Sequence, residues 1–310
     1  MKEFVIDSHS HIGRDIFHGD STIEGYIDFA KKSGIDVGVL MTVPSPCTEL
    51  GNPNSRSMYW KYNGDHMEYY GNKNPFLELN YNLNELVKEH STEDLQLLFA
   101  SVFHPVLDNP EEFRKMLIET DPVAIKIHGI GSGVGPNNIN KESIEIFKDF
   151  DIPLIVHTDC DFGKGSQSMQ YIRNINRGIL WAKFFEENQI KGILNHGSAL
   201  DKEVFDIVNN SKYLRIALGP DKVACLDNNR LYIDCLKDYR NYLLYLKEHL
   251  KISRIIYDSD YNWNLIQGED LDYKSVDRVI EIFQNEFDIE KVLSNNLLEF
   301  NPKILERIRR

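Results

Sequence analysis

Eight short apolar runs rich in β-branched residues recur along the chain, and helical segments separate them. Most runs are apolar at consecutive positions, which is typical of strands covered on both faces. Strands that alternate with helices form a parallel sheet, and eight such units predict an α/β fold, the (β/α)8 TIM-type barrel. The predicted strands are Phe4–Ser8, Asp36–Val43, Leu97–Phe103, Val123–His128, Ile152–His157, Lys191–His196, Tyr213–Leu218 and Arg254–Ser259.

Helices fill the intervals between those strands, where apolar residues recur at helical spacing. A doubly wound open sheet is the alternative architecture. That fold predicts a Gly-rich phosphate loop after the first strand, whereas His9-Ser10-His11 stands there instead. We therefore expect one barrel domain over residues 1–310. The predicted helices are Thr22–Ser33, Asn80–His90, Pro110–Glu119, Lys141–Phe150, Met169–Asn188, Asp201–Asn210, Leu231–Leu250 and Tyr273–Glu286.

Two predicted connections are long, Pro44–Pro75 after the second strand and Gly219–Arg230 after the seventh. Both follow C-terminal strand ends, where barrel enzymes build their sites. We predict that the insertion over residues 44–75 caps the active site, because long loops in compact domains are usually functional. The alternative is a tolerated insertion without a role in catalysis.

The chain carries a formal net charge of −13, from 35 basic and 48 acidic residues. This balance argues against a nucleic-acid partner or an anionic membrane surface, because phosphate contacts require clustered Lys and Arg. The four cysteines form no Cys-x-x-Cys pair, and we find neither a signal sequence nor a membrane-spanning apolar run. We therefore expect a cytoplasmic protein that acts on a small-molecule substrate. Homodimers are common among such barrels, and a homodimer is the assembly expected if the chain associates.

Histidines gather at the ends of predicted strands. His9 and His11 are two residues apart in an extended segment, so their rings share a face and form half of a site for a divalent metal. In a barrel, the C-terminal ends of all strands converge on one mouth. Six of the ten histidines fall at such ends, which is difficult to explain as isolated core histidines. These six are His9, His11, His104, His128, His157 and His196.

Two carboxylates, Asp258 and Asp260, follow the eighth predicted strand. The first and eighth strands are neighbours in a closed barrel, so we expect Asp260 beside His9 and His11. Three or four histidines with one aspartate, and a position left for water, are typical of a catalytic metal site rather than a structural one.

Six segments, in this order, resemble motifs of the metal-dependent amidohydrolase superfamily, in its amidohydrolase-related (amidohydrolase 2-like) branch of hydrolases and decarboxylases. The resemblance runs from residue 6 to residue 300, and the order and strand positions of the motifs carry it. The segments are Ile6-Asp7-Ser8-His9-Ser10-His11, Ala124-Ile125-Lys126-Ile127-His128, Pro153-Leu154-Ile155-Val156-His157-Thr158, Leu194-Asn195-His196-Gly197, Tyr257-Asp258-Ser259-Asp260-Tyr261 and Asn295-Asn296-Leu297-Leu298-Glu299-Phe300.

The resemblance implies a (β/α)8 barrel and a metal centre, with His196 as a further ligand or the catalytic base. The chain departs from the family pattern at Asp258, where the family usually has Gly, and at Gly129–Gly133, which replaces the usual Pro after the fourth strand. The metal ligands that the resemblance implies are His9, His11, His157 and Asp260.

The mechanism expected from this resemblance uses a metal-activated water. A divalent ion lowers the pKa of a bound water toward neutrality. Asp260 would take the proton of that water and pass it to the leaving group, while His196 would hold the water or polarise the scissile carbonyl. Asp7 is expected either to orient a ligand histidine or to cap the strand end. The expected reaction is hydrolysis of an amide, lactone or related ester-type bond.

We expect one metal ion rather than two. In some relatives a carboxylated lysine on the fourth strand bridges two ions, and Lys126 stands at that place. The alternative for this lysine is an ion pair with an acid at the barrel mouth. Zn²⁺ is the expected ion, although mixed nitrogen and oxygen ligands also suit Mn²⁺ or Fe²⁺.

Two other functions stay open. One is a non-oxidative decarboxylase for an aromatic or unsaturated carboxylic acid; the other is a non-catalytic ligand-binding barrel, although such barrels usually lose the metal ligands that this chain keeps. A phosphate site at Gly129–Gly135 lacks the Gly-Lys-Ser/Thr of a P-loop, and we interpret that segment as a mobile rim loop. The substrate-binding candidates are His128, His104, Tyr59, Trp60 and Arg173.

Overall fold

Eight parallel strands follow one another around a curled sheet in the computed structural model. The structure describes residues 4–15, 19–43, 60–158, 167–219, 224–226, 231–233, 238–261 and 273–308. Each predicted strand overlaps an observed one, because the consecutive apolar residues that identify a doubly covered strand are frequent in all eight. We number the strands β1 (Ile6–Asp15), β2 (Val37–Thr42), β3 (Gln96–Val102), β4 (Ala124–His128), β5 (Leu154–His157), β6 (Gly192–Leu194), β7 (Leu214–Ala217) and β8 (Ile255–Ile256).

Contacts between β1 and the chain that follows β8 close the sheet. Ser10 forms a parallel bridge with Tyr261. The backbone N–H of Ser8 donates to the carbonyl of Tyr257 at 3.3 Å, and that of Asp260 donates to the carbonyl of His9 at 3.2 Å. The first and last strands are therefore neighbours, and the fold is the predicted (β/α)8 class.

Helices cover the outside of the sheet, and polar side chains cap several of them. Asn140, for example, accepts a hydrogen bond from the N–H of Ser143 at 2.8 Å. None of the described helices is long and apolar enough to cross a membrane. The principal helices are Ile23–Ser33, Leu77–His90, Pro110–Thr120, Lys141–Phe150, Gln167–Ile175, Gly178–Asn188, Lys202–Asn210, Tyr239–His249 and Ser275–Phe283.

Two helix predictions were wrong in part. The predicted helix Met169–Asn188 is two helices, because Asn176 interrupts it and binds the carbonyl of His157 and the indole of Trp181 with its side chain. The predicted helix Leu231–Leu250 begins only at Tyr239. Its first residues form an antiparallel hairpin in which Leu231–Ile233 pairs with Ala224–Leu226. Strand pairing of this kind is not visible in apolar spacing alone.

The helical C-terminus covers the end of the barrel opposite the histidines. It comprises Glu286–Glu290, Lys291–Asn295, Asn296–Phe300 and Pro302–Ile308. The Asn296 amide donates to the carbonyl of Ile255 at the start of β8, and the Asn301 amide donates to that of Val123 just before β4. Phe300 belongs to the apolar cluster that fills the barrel interior. The candidate site lies at the opposite end of the barrel, where the strands terminate.

A hairpin from the predicted insertion packs on the short helix Gly129–Ser132, which follows β4, and on the residue after it. Its strands Trp60–Tyr62 and Met67–Tyr69 are antiparallel. The Trp60 indole donates to the carbonyl of Gly131 at 3.2 Å, and the Tyr69 hydroxyl donates to that of Gly133 at 2.8 Å. Gly133 has φ +67°, and an added Cβ would lie 2.5 Å from the Trp60 ring, so only glycine fits there. Residues 44–59, which include Tyr59, lie outside the described residues.

Candidate metal centre

A bulge in β1 decides where the first two histidines point. Asp7 pairs with Gly38 and Ser10 with Leu40, so three steps along β1 match two steps along β2. Ile6 belongs to the barrel interior, and strict alternation from it would turn His9 and His11 outward. The extra residue reverses the alternation and directs both rings into the mouth of the barrel.

His9 and His11 meet Asp260 at this mouth. One ligand atom from each of the three residues lies within 4.8 Å of the other two. Nδ1 of His9 is 3.4 Å from Oδ1 of Asp260, and the two imidazole rings lie edge to face with centroids 4.6 Å apart. Two imidazoles and a carboxylate in a largely buried group could hold a divalent ion.

The hydrogen bonds of the two rings fit a metal ion. His11 Nδ1 lies 3.3 Å from the carbonyl of Thr42, which can only accept, so a neutral His11 ring carries its proton on Nδ1 and its lone pair on Nε2. His9 Nε2 is buried and forms no hydrogen bond within the described part of the chain. In this structure the Asn195 amide donates to Nδ1 of His9, which puts the ring proton on Nε2. An ion bound at Nε2 would require that amide to turn its own unpartnered Oδ1 toward Nδ1 instead.

Asp7 fixes the backbone from which these ligands project. Its carboxylate accepts from the N–H and the hydroxyl of Ser259, at 2.8 and 2.7 Å, and from the hydroxyls of Ser10 and Tyr26, at 2.7 and 2.9 Å. Burial raises the pKa of Asp7, and these donors oppose the rise. Of the two roles expected for Asp7, these contacts favour the cap at the strand end over the orientation of an imidazole. The contact of Asp7 with His9 is to the backbone N–H, so it ties β1 to the segment after β8.

His196 and His157 form a second pair beside this group. His196 Nδ1 is 3.3 Å from the carbonyl of Gly219, and His196 Nε2 is 2.8 Å from His157 Nδ1. Because a carbonyl only accepts, His196 carries its proton on Nδ1 and accepts from His157 through Nε2. The Nε2 lone pair of His157 is then available as a ligand. The compact His9–His11–Asp260 group does not contain His157, which contacts His196 instead.

Burial favours the neutral form of four imidazoles at the site. It lowers the pKa of His9, His128 and His157 well below the usual value and that of His196 to about 3. A neutral imidazole has the lone pair that a metal requires. Burial also lowers the pKa of Lys126 to about 7, although Asp260 and Asp258 oppose this effect.

Two residues at the site received no role from the sequence. Asn195 follows β6, is fully buried, and has Nδ2 2.7 Å from Nδ1 of His9. Asp258 is also fully buried, and its Oδ2 lies 3.6 Å from the same ring nitrogen. Both positions stand one or two residues from predicted ligands at strand ends. Position alone could have identified them as candidates.

A left-handed turn carries His196. The φ angles of His196, Gly197 and Ser198 are +57°, +57° and +48°. This conformation is unfavourable for residues other than glycine, and such strain is found disproportionately at functional sites. The turn places His196 Nδ1 3.8 Å from Oδ2 of Asp260, so the two predicted catalytic groups lie side by side.

The predicted substrate-binding residues differ in their surroundings. The His128 ring stacks on His157 with centroids 4.4 Å apart and thus adjoins the site. His104 Nδ1 accepts from two backbone N–H groups at 3.3 Å, and burial lowers the pKa of this ring to about 4. Trp60 is 7% exposed, with its indole N–H bonded to the β4 loop. Arg173 is half-buried on the helix Gln167–Ile175. A role for these residues in substrate binding stays a prediction.

Similar proteins were found by comparing structures and not by comparing sequences. No protein-family profile matches the sequence, and no curated protein matches it. Solved structures do match over nearly the whole chain. A probable 2-pyrone-4,6-dicarboxylic acid hydrolase from Acinetobacter baumannii, with citric acid bound, aligns with a TM-score of 0.59 and 13% identity over 96% of this chain and 99% of that one.

Two further structures extend this likeness. A 5-carboxyvanillate decarboxylase from Sphingomonas paucimobilis has a TM-score of 0.62 at 10% identity, covering 97% of this chain and 99% of its own. An amidohydrolase from Burkholderia multivorans with bound zinc has a TM-score of 0.61 at 9% identity, covering 96% and 99%. The chain therefore has the barrel fold of solved amidohydrolase-type hydrolases and decarboxylases, as its motifs predict.

Proposed function

We propose that this protein is a metal-dependent hydrolase of the amidohydrolase type, which cleaves an amide, lactone or related ester-type bond in a small molecule. The observation that carries the proposal is the buried His9–His11–Asp260 group with His196 beside it. A divalent ion held there would act as a Lewis acid and acidify a water molecule. The fold of the solved hydrolases and decarboxylases supports the same proposal.

Asp260 is the proposed general base. Its carboxylate can accept a proton from the attacking water and return it to the leaving group, and its backbone is held against β1 by the bond to His9. His196 has Nδ1 occupied by the carbonyl of Gly219 and is fixed next to that carboxylate. We assign it to orienting the water or polarising the scissile carbonyl. Either role requires the substrate to displace one of the two present partners of the ring, the carbonyl of Gly219 or Nδ1 of His157.

We propose one Zn²⁺ ion at this centre. The compact three-residue group and the zinc in the Burkholderia multivorans structure support this choice. Mn²⁺ and Fe²⁺ suit the same mixture of nitrogen and oxygen ligands. Lys126 would serve as a bridge only if two ions bind. Elemental analysis of purified protein distinguishes one ion per chain from two.

A decarboxylase is the second candidate. The likeness to 5-carboxyvanillate decarboxylase supports it, and so does Lys126. This lysine is fully buried, and its Nζ forms no hydrogen bond to any residue that the structure describes. Such an ammonium group could receive the carboxylate of a substrate.

Parallel assays with Zn²⁺-loaded protein separate the two reactions. 2-Pyrone-4,6-dicarboxylate serves as the lactone probe and 5-carboxyvanillate as the carboxylic acid probe. The names of two proteins with this fold contain these compounds. Ring opening with uptake of water supports the hydrolase, and release of carbon dioxide without uptake of water supports the decarboxylase. A protein that binds no divalent ion would contradict both.

Location and partners are proposed on the sequence alone. The acidic balance and the scattered cysteines support a cytoplasmic enzyme without a nucleic-acid or membrane partner. A homodimer is the proposed assembly, and light scattering of the purified chain tests it.

A further inference from the structure

Asp258 presents a buried carboxylate oxygen that no donor satisfies. The residue is fully buried at the end of β8. Its Oδ1 accepts a hydrogen bond from the backbone N–H of Gly219, whereas Oδ2 has no hydrogen-bond partner among the described residues. An unpaired buried carboxylate is costly, and a native fold retains one where something else offsets the cost.

The unpaired oxygen lies beside one of the imidazoles of the metal centre. Oδ2 of Asp258 is 3.6 Å from Nδ1 of His9, and Oδ1 of Asp260 is 3.4 Å from the same atom. Two carboxylates therefore flank one imidazole. Asn195 Nδ2, 2.7 Å away, already contacts that nitrogen, so His9 is not positioned to neutralise both carboxylates.

The surrounding chain holds Asp258 in this orientation. A Cβ added to Gly219 would lie 2.5 Å from Oδ2 of Asp258, so only glycine allows the carboxylate to pack this closely. The carbonyl of the same glycine accepts from His196 Nδ1. Gly219 therefore connects the second carboxylate with the proposed catalytic histidine.

We propose that Asp258 is a second carboxylate of the metal centre, and that its negative charge strengthens the binding of a divalent cation beside Asp260. The inference deepens the proposed function and rests on the same centre. Burying two neighbouring carboxylates costs free energy, and a bound cation would offset that cost. The Nζ of Lys126 forms no hydrogen bond to either carboxylate in the described structure. Asp258 is thus a positioning and charge-supplying group, and no proton transfer is assigned to it.

The test is a comparison of metal affinity between the full-length protein and Asp258→Asn. Asparagine keeps an acceptor for the N–H of Gly219, removes the charge and places an NH2 group where Oδ2 was. Metal-free protein is prepared with a chelator, and Zn²⁺ binding is measured by competition with a chromophoric chelator at pH 8. We expect about a tenfold or greater loss of Zn²⁺ affinity, in the range seen when groups that support metal ligands are removed. The unfolding temperature of the metal-free variant should not fall.

Asp108→Asn is the matched control. Asp108 is another buried carboxylate with one unpaired oxygen, but its contact is to the backbone of His104 at the end of β3. This control should leave Zn²⁺ affinity unchanged. Should Asp258→Asn fail to fold, Asp258→Gly removes the same charge, and its affinity is compared in the same way.

The outcomes separate this inference from the proposed function. Unchanged affinity in the Asp258 variant, with the wild-type protein binding Zn²⁺, overturns the inference and leaves the metal centre intact. Unchanged affinity with a lower unfolding temperature shows that Asp258 only anchors Gly219, which also overturns it. A wild-type protein that binds neither Zn²⁺ nor Mn²⁺ overturns the metal centre and the inference together.

Discussion

Nε2 of His196 lies 2.8 Å from Nδ1 of His157, and this contact fixes the protonation of both rings. The carbonyl of Gly219 holds the proton of His196 on Nδ1, so His157 must donate to Nε2 of His196. The contact therefore orients His157 with its remaining lone pair available. It also leaves His196 beside Asp260 in a defined, neutral state.

Replacing His196 by Ala should lower kcat by about 10²–10⁴-fold, the usual contribution of a positioned acid–base or polarising group. Zn²⁺ should still bind, because the His9–His11–Asp260 group is untouched. The measurement is kcat with the substrate identified by the parallel assays, together with Zn²⁺ content. His249→Ala is the control, since that ring bonds to the carbonyl of Tyr245 on an outer helix. Equal losses in both variants would contradict a specific role for His196.

Asp260→Asn should abolish turnover while the fold persists. The amide retains the shape of the carboxylate but can neither accept a proton nor bind a cation with comparable strength. We expect a loss in kcat of at least about 10³-fold, with an unchanged circular dichroism spectrum. Full activity in this variant would remove Asp260 from the mechanism. Zn²⁺ content measured in parallel shows whether the loss follows from the missing base or from the missing ion.

The strands and the set of site residues were predictable because they depend on local patterns. Consecutive apolar residues identify doubly covered strands, and the ends of parallel strands meet at one mouth whatever the loops do. The sequence therefore predicts that His9, His11 and Asp260 lie close together. The structure places their ligand atoms within 4.8 Å of one another.

The direction of the rings was not predictable from the same pattern. Alternation places Ile6 and His9 on opposite faces, and only the bulge against β2 reverses this. Such a bulge depends on which strand pairs with β1 and in which register. The left-handed turn at His196 and the hairpin at Leu231–Ile233 likewise follow from tertiary contacts rather than from local preference.

Asn195→Ala tests the support of His9. The Asn195 amide contacts His9 Nδ1 at 2.7 Å from a fully buried position, so its loss leaves that ring free to turn. We expect Zn²⁺ affinity to fall by about 10–100-fold, as for other groups that orient a ligand. Asn188→Ala is the matched control, because that amide donates to the carbonyl of Phe184 on an outer helix. The same affinity in wild type and Asn195→Ala would show that other contacts hold His9.

Asp108 makes stability depend on pH through a group outside the metal centre. Burial raises its pKa from 3.8 to about 7, while the bond from the His104 N–H opposes the rise. A carboxyl whose pKa is higher in the folded state contributes stability that is fully present below pH 3.8. That contribution is lost as the pH rises to about 7, because the folded protein must then bury a charge.

Asp108→Asn removes this charge and retains an acceptor for the His104 N–H. The variant should therefore unfold at a temperature a few degrees above that of the wild type at pH 8, with little difference at pH 4. Melting curves of the metal-free proteins between these values measure the effect, since an ion would add its own pH dependence. A constant difference across the whole range would mean that the carboxyl does not titrate there. A lower melting temperature at pH 8 would mean that the charged form of Asp108 stabilises the fold.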